Sequence, residues 1–223
     1  MRELKPILID KYILAALQED MTSGDITTDA ILKDERAEVN LRAKDKGILA
    51  GLDVFKRVFE ILDEDVSFEF YFSDGDKVNN KDLIGKISGR AKAILEGERT
   101  ALNFLQRMSG IATYTKKMVD ALDSDHVKIL DTRKTTPNMR IFEKYAVTLG
   151  GGYNHRYNLS DGIMLKDNHI DAAGGIREAV EKVRRLNPFV KKIEVEVENF
   201  DQVREALEAK ACLLYTSPSP RDS

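Results

Sequence analysis

The stretches of this chain that could do chemistry are short and rich in cations. "DTRKTTP" sets Arg133 beside Lys134 and flanks them with Asp131, Thr132, Thr135 and Thr136. Adjacent cations among hydroxyls suit an anion, because guanidinium grips a carboxylate or phosphate through two parallel bonds and hydroxyls fill the remaining lone pairs; on spacing alone, a solvated loop stopped by Pro137 is an equal alternative. "GGGYNHRY" places Asn154, His155 and Arg156 just after Gly150, Gly151 and Gly152. Adjacent glycines weaken helix and strand alike, so the expectation is a backbone that lets a ligand approach; a helix end followed by a loop is the alternative. Lys166 closes the apolar run "GIMLK". A lysine at a strand end forms Schiff bases when its pKa is depressed. With Arg133, Lys134 and Arg156 expected on the same rim, a bound polyanion is the better reading. His169 reads as a residue that stacks or hydrogen-bonds locally. Glu194, Glu196 and Glu198 alternate with valines and so point to one side of a strand. If that side is buried, the carboxylates need a sugar, a metal ion or the facing Lys166; if not, the strand is a wet edge. Glu96, Glu98 and Arg99 read as first-turn charges of the helix "EGERTALNFLQRMSG".

Elements must hold these stretches in place. Ile9, Tyr12, Ile13, Ala16 and Leu17 fit an amphipathic helix, and Val54, Phe55, Val58, Phe59 and Leu62 fit another after Gly51. Ala37, Val39, Leu41 and Ala43 alternate as a half-buried strand does. Val66, Phe68, Phe70 and Phe72 repeat the alternation up to the turn "SDGDKV". This order predicts a small α+β domain ending near residue 90. Residues 93–122 read as helix with a break near Gly110. Beyond them "VKIL", "GIMLK" and "IEVEV" read as strands, each followed by a helical pattern: Met139, Phe142, Ala146 and Leu149; Ile176, Val180 and Val183; Phe200, Val203 and Leu207. Strands recurring at the length of a β-loop-α unit predict a parallel sheet or an α/β barrel, whose chemistry sits at the strand C-termini.

Composition excludes several classes. A chain of 223 residues, 42% hydrophobic and 33% charged, can bury one sizeable core or two smaller ones. A net charge of −3, no tryptophan and no basic block argue against nucleic-acid binding. No apolar run approaches the roughly 20 residues of a membrane span, and the N-terminus lacks a secretory pattern, so a cytoplasmic location is expected. Cys212 is the only cysteine, which excludes an internal disulfide and a cysteine-rich metal site.

Taken together, "EDMTSGDITTDAI", "GERTALNFLQRMSGIAT", residues 130–169 ("LDTRKTTPNMRIFEKYAVTLGGGYNHRYNLSDGIMLKDNH") and "IEVEVEN" resemble successive signature segments of the quinolinate phosphoribosyltransferases, the decarboxylating nicotinate-nucleotide pyrophosphorylases. The resemblance runs from about residue 5 to about residue 210. It implies an N-terminal α/β sandwich over 1–110, with a helix leading into an incomplete α/β barrel whose first part, 111–211, carries the substrate site. It also implies transfer of phosphoribose from phosphoribosyl pyrophosphate to the quinolinate nitrogen, releasing nicotinate mononucleotide, carbon dioxide and pyrophosphate. By motif, Arg133, His155, Arg156 and Lys166 would hold the quinolinate carboxylates, with Thr132 and Lys134 on the same wall. Glu196 would face the ribose hydroxyls or a magnesium ion accompanying the phosphoribosyl pyrophosphate. Arg99 would reach into the site of a neighbouring subunit, which makes a homodimer or higher homo-oligomer the expected unit.

Three alternatives stand beside this reading: a nicotinate phosphoribosyltransferase, the related molybdenum-transport protein, and a non-catalytic anion-binding fragment. The last rests on the C-terminus. The family would continue into another strand bearing an aspartate and then glycine-rich phosphate-binding turns, whereas here "REALEAKA" is followed by "CLLYTSPSPRDS". The expectation is that 212–223 is a foreign, turn-rich tail and that the truncated chain turns over little or nothing.

Overall fold

The computed structural model describes residues 4–189 and 192–215. The chain packs as two compact units, Met1–His155 and Arg156–Ser223.

The first unit opens with α1 (Pro6–Asp20), which buries Ile9, Ile13 and Leu17 at the expected helical spacing, and the short α2 (Ile26–Ile31). Strand β1 (Arg36–Arg42) follows, then β2 (Gly47–Ile48), α3 (Leu52–Leu62), β3 (Ser67–Phe70), β4 (Lys77–Val78) and β5 (Leu83–Arg90). β5 lies between β1 and β3, antiparallel to both, and β2 pairs with β4. Gly51 starts α3 at φ +102°, a left-handed conformation that only glycine adopts without strain. It has no side chain to cap the helix; the Asp74 carboxylate does so instead, accepting from the Gly51 and Leu52 N–H groups at 2.9 Å. The "SDGDKV" turn thus delivers a distant cap. Phe55, Phe59, Met108 and Phe142 fill the core, with the Phe104 and Phe142 rings 4.9 Å apart.

Helix α4 (Ala91–Leu122) corrects two expectations. It runs through Gly110 without a break. A glycine inside a helix costs about 1 kcal/mol relative to alanine, but Gly110 faces open space while its neighbours Met108 and Ala112 are fully buried, and that burial keeps the helix continuous. The helix also begins before "EGERT", so Glu96, Glu98 and Arg99 are not first-turn charges. Glu96 instead pairs with Lys92 one turn earlier, at 3.7 Å.

α5 (Arg140–Leu149) completes the unit. Before it, "VKIL" is not a strand. Only a parallel bridge between Leu130 and Tyr153 forms there, because Val127 and Leu130 stay about half exposed and bury too little to anchor a ladder. The glycine run after α5 has a packing role. A Cβ on Gly150 would sit 2.4 Å from the Ala112 carbonyl oxygen, and one on Gly152 would sit 2.7 Å from a Val147 methyl and 3.0 Å from a Thr115 methyl. Gly150 and Gly152 let α5 and the turn after it close onto α4.

The second unit is a β/α arrangement: β6 (Ile163–Leu165), α6 (Asp167–Ala173), α7 (Ile176–Leu186), β7 (Ile193–Glu196), α8 (Phe200–Glu208) and β8 (Leu213–Tyr215). Its sheet is parallel in the order β6-β7-β8. The core is small, built on Leu165, Ile176, Val180, Ile193, Val195 and Ala206. β8 corrects the expected tail boundary at 212. The Cys212 N–H donates to the Ile193 carbonyl at 2.9 Å, and Leu213 and Tyr215 stand in register with Glu194 and Glu196. Leu213, Leu214 and Tyr215 have the apolar character of a strand, and backbone pairing with β7 draws them into the sheet. Residues 216–223 of that expectation lie outside the described residues.

Candidate functional site

In the first unit the cation loop follows the Leu130 bridge. Asp131 sits at its root and acts as a hub. Its carboxylate accepts from the His155 N–H (2.8 Å) and from Asn154 Nδ2 (2.6 Å), and it forms an ion pair with the Lys144 ammonium. Lys144 also donates to the His155 carbonyl oxygen at 3.1 Å. Both charges are buried, with side chains 4% and 7% exposed.

α5 grips the rest of the loop. Arg140 donates to Thr135 Oγ1 (3.1 Å) and to the Arg133 carbonyl (3.2 Å), and Glu143 accepts from the Thr136 N–H (3.2 Å). Arg107 of α4 joins them, donating to Glu143 Oε1 (2.6 Å) and to Thr136 Oγ1 (2.5 Å). Thr132 Oγ1 accepts from the Lys134 N–H at 3.1 Å, a turn that leaves Thr132 and Lys134 exposed and Arg133 half-buried. Arg133 Nε is buried and, among the described residues, has no hydrogen-bond partner. A guanidinium N–H taken out of water without an acceptor is costly, so this donor is suited to an acceptor that a ligand supplies. Arg99 lies exposed on α4.

A cavity of about 390 Å³ opens in the same unit, lined by residues of α1 and α4, including Glu19, Asp20, Asn103 and Arg107, and by Thr136 and Met139. Of the cation loop it touches Thr136, and none of the expected binding residues lines it. The chemistry of Arg133 identifies a site better than the size of this hollow does.

In the second unit Lys166 follows β6 directly, as expected of a strand-end lysine, and its ammonium lies 3.2 Å from a carboxylate oxygen of Glu196 at the end of β7. Parallel pairing of β6 with β7 sets the two strand ends side by side. Glu194 is buried, Glu196 mostly so, and Glu198 exposed, so the acidic face is buried at its first two positions. Arg156 donates to the Gly162 carbonyl (3.0 Å) and lies 3.5 Å from Met164 Sδ, closing the loop that leads into β6. His169 does bond locally, its Nδ1 accepting from the Lys166 N–H at 3.0 Å. Among the described residues no cluster of His, Cys, Asp and Glu could hold a metal ion by itself.

The sequence reading missed Lys144, Arg140, Glu143 and Arg107. A signal existed, since Glu143 and Lys144 adjoin the buried Phe142 on α5. Periodicity records apolar faces, however, and does not register a charge buried beside one.

Known proteins match both parts of the chain. Residues 25–109 match the quinolinate phosphoribosyl transferase N-terminal domain and residues 111–215 its C-terminal domain. A Bacillus subtilis (strain 168) protein named "Probable nicotinate-nucleotide pyrophosphorylase (carboxylating)" is 46% identical over 205 residues, covering 92% of this chain and 71% of its own. The Nicotiana glauca "Quinolinate phosphoribosyltransferase (decarboxylating) 2, mitochondrial" is 44% identical over 216 residues, covering 92% of this chain and 61% of its own. In three dimensions NadC from Streptococcus pyogenes superposes with a TM-score of 0.94 at 48% identity, covering 100% of this chain and 79% of that one.

Proposed function

Because the chain belongs to the quinolinate phosphoribosyltransferase family, we propose that it binds quinolinate and phosphoribosyl pyrophosphate in the pathway to NAD and is built for phosphoribosyl transfer with decarboxylation. The observation that carries this reading is Arg133, whose buried Nε has no acceptor among the described residues, in a loop that also holds Lys134. Quinolinate brings two carboxylates, and a guanidinium meets a carboxylate through paired charge-assisted bonds. His155, Arg156 and Lys166, with Thr132 beside Lys134, carry the remaining binding roles by motif.

In the reaction, the pyridine nitrogen attacks the ribose anomeric carbon as pyrophosphate leaves. The new N–C bond takes the nitrogen lone pair, and the leaving group takes the electrons of the broken C–O bond. The quinolinate 2-carboxylate then departs as carbon dioxide. The electron pair left on the ring carbon is stabilised by the adjacent cationic nitrogen and takes up a proton. What the chain's own residues contribute is orientation and charge balance. Magnesium is proposed as part of the phosphoribosyl pyrophosphate substrate, since this ion usually binds through substrate phosphates and one or two carboxylates rather than a protein cage. Glu196 is its proposed protein contact. Its position at a strand end beside Lys166 also suits ribose hydroxyls.

Two finer statements belong to the same proposal. The unit is a homodimer or higher oligomer in which Arg99 serves the neighbouring subunit; its exposure on α4 supports this. The location is cytoplasmic, supported by a single cysteine, although the Nicotiana relative is named mitochondrial. The chain spans 71% and 61% of the length of the two relatives above. Nicotinate mononucleotide formation should be assayed for this chain and for one extended by a relative's C-terminal segment. The expected result is product that depends on both quinolinate and phosphoribosyl pyrophosphate, and absence of product from both chains would remove the activity.

A further inference from the structure

We propose that the buried Asp131–Lys144 pair is a positioning device that fixes the Arg133 loop against the His155 loop. The inference rests on the functional reading above and assigns Lys144 and Asp131 a role in aiming groups that touch substrate, with no contact of their own to it.

Asp131 precedes the cations and Lys144 lies on α5, yet both hold the same short segment: Asp131 through the His155 N–H at 2.8 Å, Lys144 through the His155 carbonyl at 3.1 Å. One peptide flanking His155 is therefore clamped at its N–H and the next at its C=O. Asn154 closes the frame, donating from Nδ2 to Asp131 Oδ2 (2.6 Å) and to the Lys144 carbonyl (2.9 Å). A hydrophobic pair could fill this volume at less desolvation cost, so burying two charges suits a requirement for a fixed direction more than one for stability. Arg140 works toward the same end by donating to the Arg133 carbonyl at 3.2 Å.

The test uses the whole chain with Asp131→Asn/Lys144→Met, which removes both charges together and leaves neither buried alone. Global stability is read by urea unfolding, loop order by amide hydrogen exchange, and affinity by quinolinate calorimetry. The expected result is a urea midpoint close to the parent's, with exchange at least tenfold faster in residues 131–136 and 153–156 but unchanged in α3, and quinolinate affinity at least tenfold weaker. Parent-like exchange in both loops, or parent-like affinity despite loosened loops, would overturn the proposal. If the double variant does not fold, Asn154→Ala decides the matter: this residue is exposed, so the fold should hold, and the same loops should loosen to a smaller degree. Unchanged loops in Asn154→Ala would likewise overturn it. If the parent chain itself gives no quinolinate heat, the functional reading fails, and exchange alone then tells whether the clamp orders the loops.

Discussion

At the scale of single residues, the site depends on which charges already have partners within the protein. Lys144, Glu143, Arg140 and Arg107 are engaged in holding the loop in place, whereas the Arg133 Nε is buried without an acceptor among the described residues. Charge-assisted bonds are each worth roughly 1.5–3 kcal/mol, so Arg133→Ala should weaken quinolinate binding by about 10- to 100-fold while leaving the circular dichroism spectrum intact. Lys166→Ala should cost a similar factor, since it removes a cation from a strand end rather than volume from a core. Calorimetric affinities equal to the parent's in both variants would remove these residues from the site. The cations themselves were legible in the sequence, because Arg133, Lys134, Arg156 and Lys166 stand in quotable motifs. What held them was not. The partner of Asp131 lies on a different element, and no local spacing announces an ion pair formed by tertiary packing.

At the scale of elements, periodicity located α1, α3, α5, α7, β6 and β7, where a strong apolar pattern meets a buried face. It failed where packing overrides local preference: α4 continues through Gly110, and "VKIL" has the composition of a strand without a ladder to join. The glycine run shows the same limit, because the close approach of α4 to Gly150 is a tertiary contact that local spacing does not announce. Gly150→Ala should therefore lower thermal stability by about 1–3 kcal/mol through overpacking against the Ala112 carbonyl, and an unchanged melting temperature would contradict that role. Asp63 links elements by charge. It accepts from the Arg90 N–H at 2.8 Å, which with help from the Asp65 N–H and the Arg90 guanidinium holds its carboxyl below the usual range. A carboxylate with a lowered folded pKa stabilises the fold above its unfolded value and loses that contribution as pH falls through the folded one. Asp63→Asn should cost about 1–3 kcal/mol in urea unfolding at pH 7, with the gap to the parent narrowing below about pH 4. A gap that stays constant with pH would show that the charge contributes nothing.

At the scale of the whole molecule, the proposal is a site shared between subunits. Arg99→Ala chains mixed with Lys166→Ala chains, each extended by a relative's C-terminal segment, should recover activity as hybrids with one intact site form; verified subunit exchange without recovery would contradict sharing. The broad plan, a sheet-and-helix unit followed by β/α repeats, was legible in the order of alternating and helical patterns. The participation of Leu213–Tyr215 in the parallel sheet was not, because three residues are too short a run to declare a strand without their neighbour β7. The central proposal, that the Arg133 loop serves a pyridine carrying two carboxylates, is tested most directly by titrating quinolinate and nicotinate separately into the 223-residue chain and into Arg133→Ala by calorimetry. Quinolinate should bind the parent at least tenfold more tightly than nicotinate, with that preference reduced in the variant. Equal affinity for the two pyridines, or a quinolinate preference that survives the loss of Arg133, would contradict it.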